Sequence, residues 1–252
     1  MALLEVSGLT RHFGGLAAVS GLDFRVNEGE ILGIIGPNGA GKSTVFNLIS
    51  GTIPSTSGTL VFRGEDITPL PCHQRARRGI SRLFQGNVLF PNFTVLTNVL
   101  AGMHLHTNLG TFGFLFGGPS ARRREEKLRS KAMDILRFVG LSGEADRIAS
   151  SQPHGNQRHL CLAVALASEP KLLLLDEPVT GMNDEEVTGM LAMIRTLRDK
   201  QGITCIIVEH NMKAVMGLCD RIVTISYGKK IAEGSPKEIS CNPAVIEAYL
   251  GA

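Results

Sequence analysis

Tryptophan is absent from the 252 residues and tyrosine occurs twice, so the 11 phenylalanines supply almost all the aromatic surface available for packing or stacking. Cysteine is scarce as well. Cys72, Cys161, Cys205, Cys219 and Cys241 form an odd set without C-x-x-C spacing, which argues against a disulfide framework or a zinc site and for a reducing cytoplasm. No apolar run approaches the roughly 18 to 20 residues that a membrane span requires, and the first residues lack the charged start, apolar middle and small-residue end of a leader. A membrane, if one is involved, must be supplied by partners. The formal charge of +3 is small and no Lys/Arg block reads as a binding tail. Arg122, Arg123 and Arg124 read as the start of a solvated helix, so nucleic acid is not an expected partner. What is present is a chain 43% hydrophobic and 19% charged, long enough for one core with an inserted subdomain.

The stretch that organises the rest is Gly36-Pro37-Asn38-Gly39-Ala40-Gly41-Lys42-Ser43-Thr44, which fits G-x-x-x-x-G-K-[ST] and follows the apolar run Ile31 to Ile35. A strand, a glycine loop and a helix start are the expected elements. A loop that wraps a polyphosphate must turn its N–H groups inward with few side chains in the way. Lys42 would then reach the terminal phosphates and the Ser43 hydroxyl would meet Mg²⁺, with the positive end of the helix dipole aimed at the site.

Two later strand ends carry acids and a histidine. Leu172 to Leu175 read as a buried strand that delivers Asp176 and Glu177, the first suited to a Mg²⁺ shell and the second to orienting or deprotonating water. Ile203 to Val208 read as another, ending in Glu209 and His210, where an imidazole can meet a γ-phosphate. Short strands are expected over Leu3 to Val6, Leu22 to Val26 and Gly58 to Phe62, with Gly64 to Asp66 a turn. Phe13, ahead of the glycine loop, reads either as a stacking surface for adenine or as a buried edge aromatic. Gln85 leaves the apolar strand end Ile80 to Phe84, where it can contact Mg²⁺ or its water. Val95 to Leu100 and Arg122 to Val139 have helical spacing, the second with Leu128, Ala132, Ile135 and Val139 on one face. His104 and His106 lack a third ligand for a metal. Phe112, Phe114, Leu115 and Phe116 form either a satellite core or an exposed patch. Gly155, Asn156, Gln157 and Arg158 open a helix expected from about Leu160 to Ser168. Final strands at Arg221 to Ser226 and Lys230 to Ala232 precede a closing helix from Asn242.

Taken in order, Gly36 to Thr44, Gln85, Gly155 to Arg158, Leu172 to Glu177 and His210 resemble the nucleotide-binding subunit of an ATP-binding cassette transporter over nearly the whole chain. Phe13-Gly14-Gly15, Leu83-Phe84-Gln85, Val208-Glu209-His210-Asn211-Met212 and Glu247-Ala248-Tyr249-Leu250-Gly251 look like the ATPase of the branched-chain amino acid importer. The urea or short-chain amide importer ATPase shares much of this text. A soluble, non-transport cassette ATPase fits less well, because paired cassettes and coiled-coil insertions are lacking.

The resemblance implies an α/β fold: a RecA-like P-loop core over 1–85 and 161–252, with an antiparallel β subdomain and an inserted α-helical subdomain over about 86–160. It implies ATP and Mg²⁺ as ligands. Phe13 would lie on adenine, residues 36–44 on the phosphates, and Ser43, Gln85 and Asp176 near the metal. Glu177 would be the catalytic carboxylate and His210 the γ-phosphate switch. Two permeases, a second ATPase subunit and, indirectly, a substrate-binding protein are the implied partners, with the chain peripheral on the cytoplasmic face of the membrane. The departure lies in the signature segment, which serves the partner's nucleotide. Where L-S-G-G-Q is usual, Pro153 and His154 stand for serine and the first glycine ahead of Gly155, and Asn156 stands for glutamine ahead of Gln157, so an asymmetric pair is expected.

Overall fold

The computed structural model describes residues 1–83, 89–103 and 119–250. In chain order it runs β1 (Ala2–Phe13), β2 (Leu16–Asn27), β3 (Ile31–Ile35), α1 (Lys42–Ser50), β4 (Ser57–Phe62), β5 (Glu65–Asp66), α2 (Cys72–Arg77), β6 (Ile80–Leu83), α3 (Val95–Gly102), α4 (Pro119–Phe138) and α5 (His154–Leu166). It continues through β7 (Leu172–Asp176), α6 (Asp184–Gln201), β8 (Thr204–Val208), α7 (Met212–Leu218), β9 (Arg221–Ser226), β10 (Lys229–Gly234), α8 (Pro236–Ser240) and α9 (Pro243–Leu250). Two compact units divide the chain: Met1–Arg82 with Lys171–Pro178 and Ile194–Ala252, and Leu83–Pro170 with Val179–Met193.

The first unit is α/β. Its larger sheet has the order β10-β9-β3-β8-β7-β6, with β9, β3, β8 and β7 parallel. Parallel strands covered on both faces should be apolar throughout rather than alternating. Every residue of β3, β7 and β8 is indeed buried. The smaller sheet is antiparallel in the order β2-β1-β4-β5. Its first two strands span 12 residues each, longer than the runs the sequence marks. Register shifts between Val6 and Leu9 and on either side of Arg11 break the period-two alternation there, so hydropathy shows only fragments of a continuous hairpin. Glu65 and Asp66, expected in a turn, pair with Phe62 and Val61, and the turn is the two residues Arg63 and Gly64.

The basic stretch after Pro71 is helix α2, and it explains one buried charge. Arg75 donates to the carbonyls of Leu48 (2.6 Å) and Ile49 (3.0 Å), both in the last turn of α1. It thereby reinforces the helix end, where the Gly51 N–H also donates to Leu48 O at 3.3 Å.

The second unit is helical. Along α4 and just beyond it, Ala132, Leu136 and Val139 are buried, whereas Leu128 and Ile135 are only partly so. The inward face is thus turned by one residue at its centre from the one the sequence suggests. Among the described residues no helix is long and apolar enough to cross a membrane. Gln85, His104, His106 and the Phe112 to Phe116 segment lie outside the described residues.

Candidate functional site

The glycine loop leaves the end of β3 and enters α1 at Lys42. Two of its glycines are required by the protein's own backbone. A Cβ on Gly36 would stand 2.0 Å from the carbonyl oxygen of Ile225, and one on Gly41, at φ 104°, would stand 2.4 Å from that of Ala18. Both distances are far inside van der Waals contact, so the loop can follow this path only with glycine at each place. Lys42 is buried, and its Nζ donates to the carbonyls of Gly36 (2.7 Å) and Pro37 (2.9 Å). Burial lowers its pKa, against a smaller upward pull from the charge of Glu177. Ser43, exposed, and Thr44, half-buried, follow in the first turn of the helix, with Asn38, Gly39 and Ala40 completing the loop.

At the end of β7, Asp176 is buried and its Oδ2 accepts from Arg82 at 2.6 Å. Arg82 also donates to Asn47 Oδ1 at 2.6 Å and lies over the Phe46 ring. The other carboxylate oxygen, Asp176 Oδ1, is buried with no hydrogen-bond partner. A buried carboxylate oxygen left in this state suits a cation or its water. Among the described residues no three His, Cys, Asp or Glu side chains gather for a metal. An ion here would therefore be shared with the oxygens of a ligand, as Mg²⁺ usually is with phosphates.

The next residue, Glu177, turns the chain in the left-handed region at φ 49°, with its N–H donating to Val208 O at 2.9 Å. That conformation is uncommon for a residue with a side chain; Arg63, Glu169 and Tyr227 share it. Glu177 Oε1 lies 3.0 Å from His210 Nε2, the imidazole N–H donating to the carboxylate. The buried carboxylate of Glu209 accepts the backbone N–H of His210 (3.1 Å), and Asn211 caps α7 through the N–H of Ala214. The histidine is thus carried on a short, hydrogen-bonded bend between a strand and a helix. The first unit therefore brings together Lys42, Asp176, Glu177 and His210.

Phe13 closes β1 and is 47% exposed, which rules out the buried edge aromatic as its reading. The Arg11 guanidinium sits 4.8 Å from its ring centroid and donates to Pro54 O at 3.0 Å.

In the second unit the helix after Pro153 begins at His154, not near Leu160. Asn156 donates to Gln152 Oε1 (3.0 Å) and Gln157 to Gln152 O (2.9 Å), so polar residues that interrupt the apolar period are tied to the preceding turn. Gly155 is buried, and a Cβ there would stand 2.3 Å from Glu186 Oε1. Glu186 itself accepts the Asn183 N–H at 2.9 Å. His154 is exposed and lies beside Gly181.

Sequence reasoning passed over Arg82 and Tyr249. The signal for the first was a charge inside a strand otherwise reading as core; for the second, no local pattern pointed to the loop it touches.

Comparison with known proteins agrees with this geometry. A family model described as ABC transporter matches residues 19–180, and one described as branched-chain amino acid ATP-binding cassette transporter matches residues 229–252. The high-affinity branched-chain amino acid transport ATP-binding protein BraF of Pseudomonas aeruginosa is 43% identical over 249 residues, 99% of this chain and 98% of BraF. The corresponding protein LivG of Escherichia coli is 41% identical over the same shares. Among solved structures, a nucleotide-free ATP-binding cassette from an ABC transporter superposes with a TM-score of 0.87 at 31% identity, covering 100% of both chains.

Proposed function

Because the chain belongs to the ABC transporter family, we propose that it is the ATP-hydrolysing subunit of an importer for branched-chain amino acids. The observation that carries the substrate class is the likeness to BraF and LivG along 99% of the chain, joined by the match of its last 24 residues to a family of that description. The chemistry follows from the first unit. Lys42 exchanges the Gly36 and Pro37 carbonyls for the terminal phosphates of ATP, and Phe13 offers its exposed face to adenine. Glu177, oriented by His210, holds the attacking water and takes its proton as the bond to the γ-phosphorus forms. His210 reads the presence of the γ-phosphate through the same contact.

Ser43, Gln85 and Asp176 are the residues that would hold Mg²⁺, with Asp176 Oδ1 the oxygen awaiting it. When bound, the ion supplies charge neutralisation on the phosphate oxygens. The segment of about 86–160 forms the helical subdomain, and Pro153 to Gln157 face the nucleotide of a second ATPase subunit. An imidazole at His154 hinders close backbone approach to that nucleotide, so the partner is a different subunit carrying a better signature. Two permeases complete the assembly, with a substrate-binding protein acting through them and this chain peripheral at the cytoplasmic face of the membrane.

Uptake of labelled leucine by cells lacking the chain tests this reading. Restoration by the wild type and not by Glu177→Gln is expected. Restored urea uptake with no effect on leucine would move the substrate assignment, and recovery of the chain without permeases on gentle detergent purification would end the transport reading.

A further inference from the structure

The glycine loop is gripped from its outer side by the end of the chain. The N–H of Gly36 donates to the hydroxyl of Tyr249 at 2.8 Å, across 213 residues of sequence, and Tyr249 lies in the last turn of α9. The N–H of Gly228, in the turn between β9 and β10, donates to Ala40 O at 3.0 Å. Between these two contacts a cavity of about 290 Å³ is bounded by the loop on one side and by Tyr227, Ala248 and Tyr249 on the other. The segment matched by the branched-chain family model, residues 229–252, thus reaches the loop through Tyr249, and the turn just ahead of it reaches the loop through Gly228.

Both polar groups of Gly36 are held by side chains. Its carbonyl accepts from Lys42 and its N–H donates to Tyr249. The two tethers differ in what nucleotide does to them. Lys42 must give up the carbonyl to reach a phosphate, whereas the Tyr249 hydroxyl has no phosphate to turn to. Once nucleotide is bound, Tyr249 is the side chain still fixing the first residue of the loop. Gly36 also runs close to Ile225 O, where a Cβ would stand at 2.0 Å, so no other residue can replace it there. Burial raises the pKa of the Tyr249 phenol, the bond from Gly36 acting the other way, and the hydroxyl stays neutral at physiological pH.

We propose that Tyr249 is a positioning residue of the nucleotide site, through which the C-terminal helix α9 holds the phosphate loop in its binding form. The inference rests on the loop being the ATP site. Linkage makes it reciprocal: if docking of α9 favours nucleotide, nucleotide favours docking of α9 by the same factor. Helix α9 is then a place where anything that lifts the C-terminus weakens ATP binding without touching a catalytic group.

The experiment compares wild type, Tyr249→Phe and Lys42→Ala as purified chains, using ATP with Mg²⁺. It measures nucleotide affinity, melting temperature without nucleotide, and amide hydrogen exchange across 243–249 with and without ATP. Tyr249→Phe keeps the ring and removes one hydrogen bond, so the melting temperature should fall by about 2 to 4 °C and, because the freed loop relaxes out of its binding form, affinity should fall as well, by at most about fivefold, the size of one net hydrogen bond. ATP should slow exchange in α9 of the wild type, and less so in Tyr249→Phe. A purely structural role would lower the melting temperature and leave both affinity and the ATP-dependent protection as they were. Unchanged affinity in Tyr249→Phe beside lost binding in Lys42→Ala would overturn the role of Tyr249 and leave the nucleotide site standing. Full binding by Lys42→Ala would instead remove the site reading itself. Should Tyr249→Phe fail to fold, the wild type decides alone, since α9 exchange indifferent to ATP refutes the coupling.

Discussion

Replacing Arg82 by methionine is the sharpest test of how the Asp176 end of the site is held. Its guanidinium and the Asp176 carboxylate are 8% and 3% exposed and 2.6 Å apart, so neither charge is relieved by water. Methionine keeps much of the apolar stem against Phe46 but removes the charge from Asp176 and the donor from Asn47. Breaking one partner out of a buried pair costs about 3 to 5 kcal/mol, because the remaining charge is left uncompensated in a poor solvent. Against a typical total of about 5 to 15 kcal/mol, that is a large share of the stability of a domain. Removing both charges should cost much less, since a buried pair is often near neutral against apolar or uncharged replacements. The assay is urea unfolding of wild type, Arg82→Met, Asp176→Asn and the double variant without nucleotide. Arg82→Met is expected to lose several kcal/mol and the double variant to regain most of it. A loss below about 1 kcal/mol for Arg82→Met, or a double variant as unstable as the two losses added, would show that this pair does not carry the charge of Asp176.

Three further outcomes follow from the same geometry. Glu177→Gln keeps the shape of the side chain but loses the base, so steady-state ATP hydrolysis should fall by about 10² to 10⁴ with nucleotide binding retained; hydrolysis near the wild-type rate would remove Glu177 from its role. Burial lowers the pKa of Lys42 below 10.5, so between that lowered value and 10.5 the unfolded chain holds the extra proton. The stability of the wild type relative to Lys42→Met should therefore rise with pH through that window and level off above it, which urea midpoints at pH 7 and above 10.5 can check; a flat or falling difference contradicts the burial of the ammonium. Cys72 and Cys241 are exposed, while Cys205 and Cys219 are buried with their thiols pushed up to about 12. A thiol reagent at pH 8 should thus modify the first two quickly and the buried ones only on unfolding; fast reaction of three or more in the native chain would mean the core opens readily.

How far the sequence could be read depended on whether the partners of a residue were near it in the chain. Lys42, Asp176, Glu177 and His210 were legible because each follows an unbroken apolar strand, and the order of such strand ends along the chain is visible without a structure. Arg82 and Tyr249 were not, since their partners lie 94 and 213 residues away and no periodicity links the two ends. The first helix of the signature segment was misplaced for a different reason. Asn156 and Gln157 look like loop residues until their amides are seen bonding back to Gln152, which turns polar side chains into the first turn of a helix. The glycine loop shows the deepest gap between pattern and cause. Its motif announces a phosphate cradle, and the spacing alone suffices to find it. Yet Gly36 is demanded by a carbonyl of β9 and Gly41 by one of β2, strands brought to the loop by the two sheets. A Cβ at either place is excluded before any nucleotide arrives, so the loop's shape belongs to the fold.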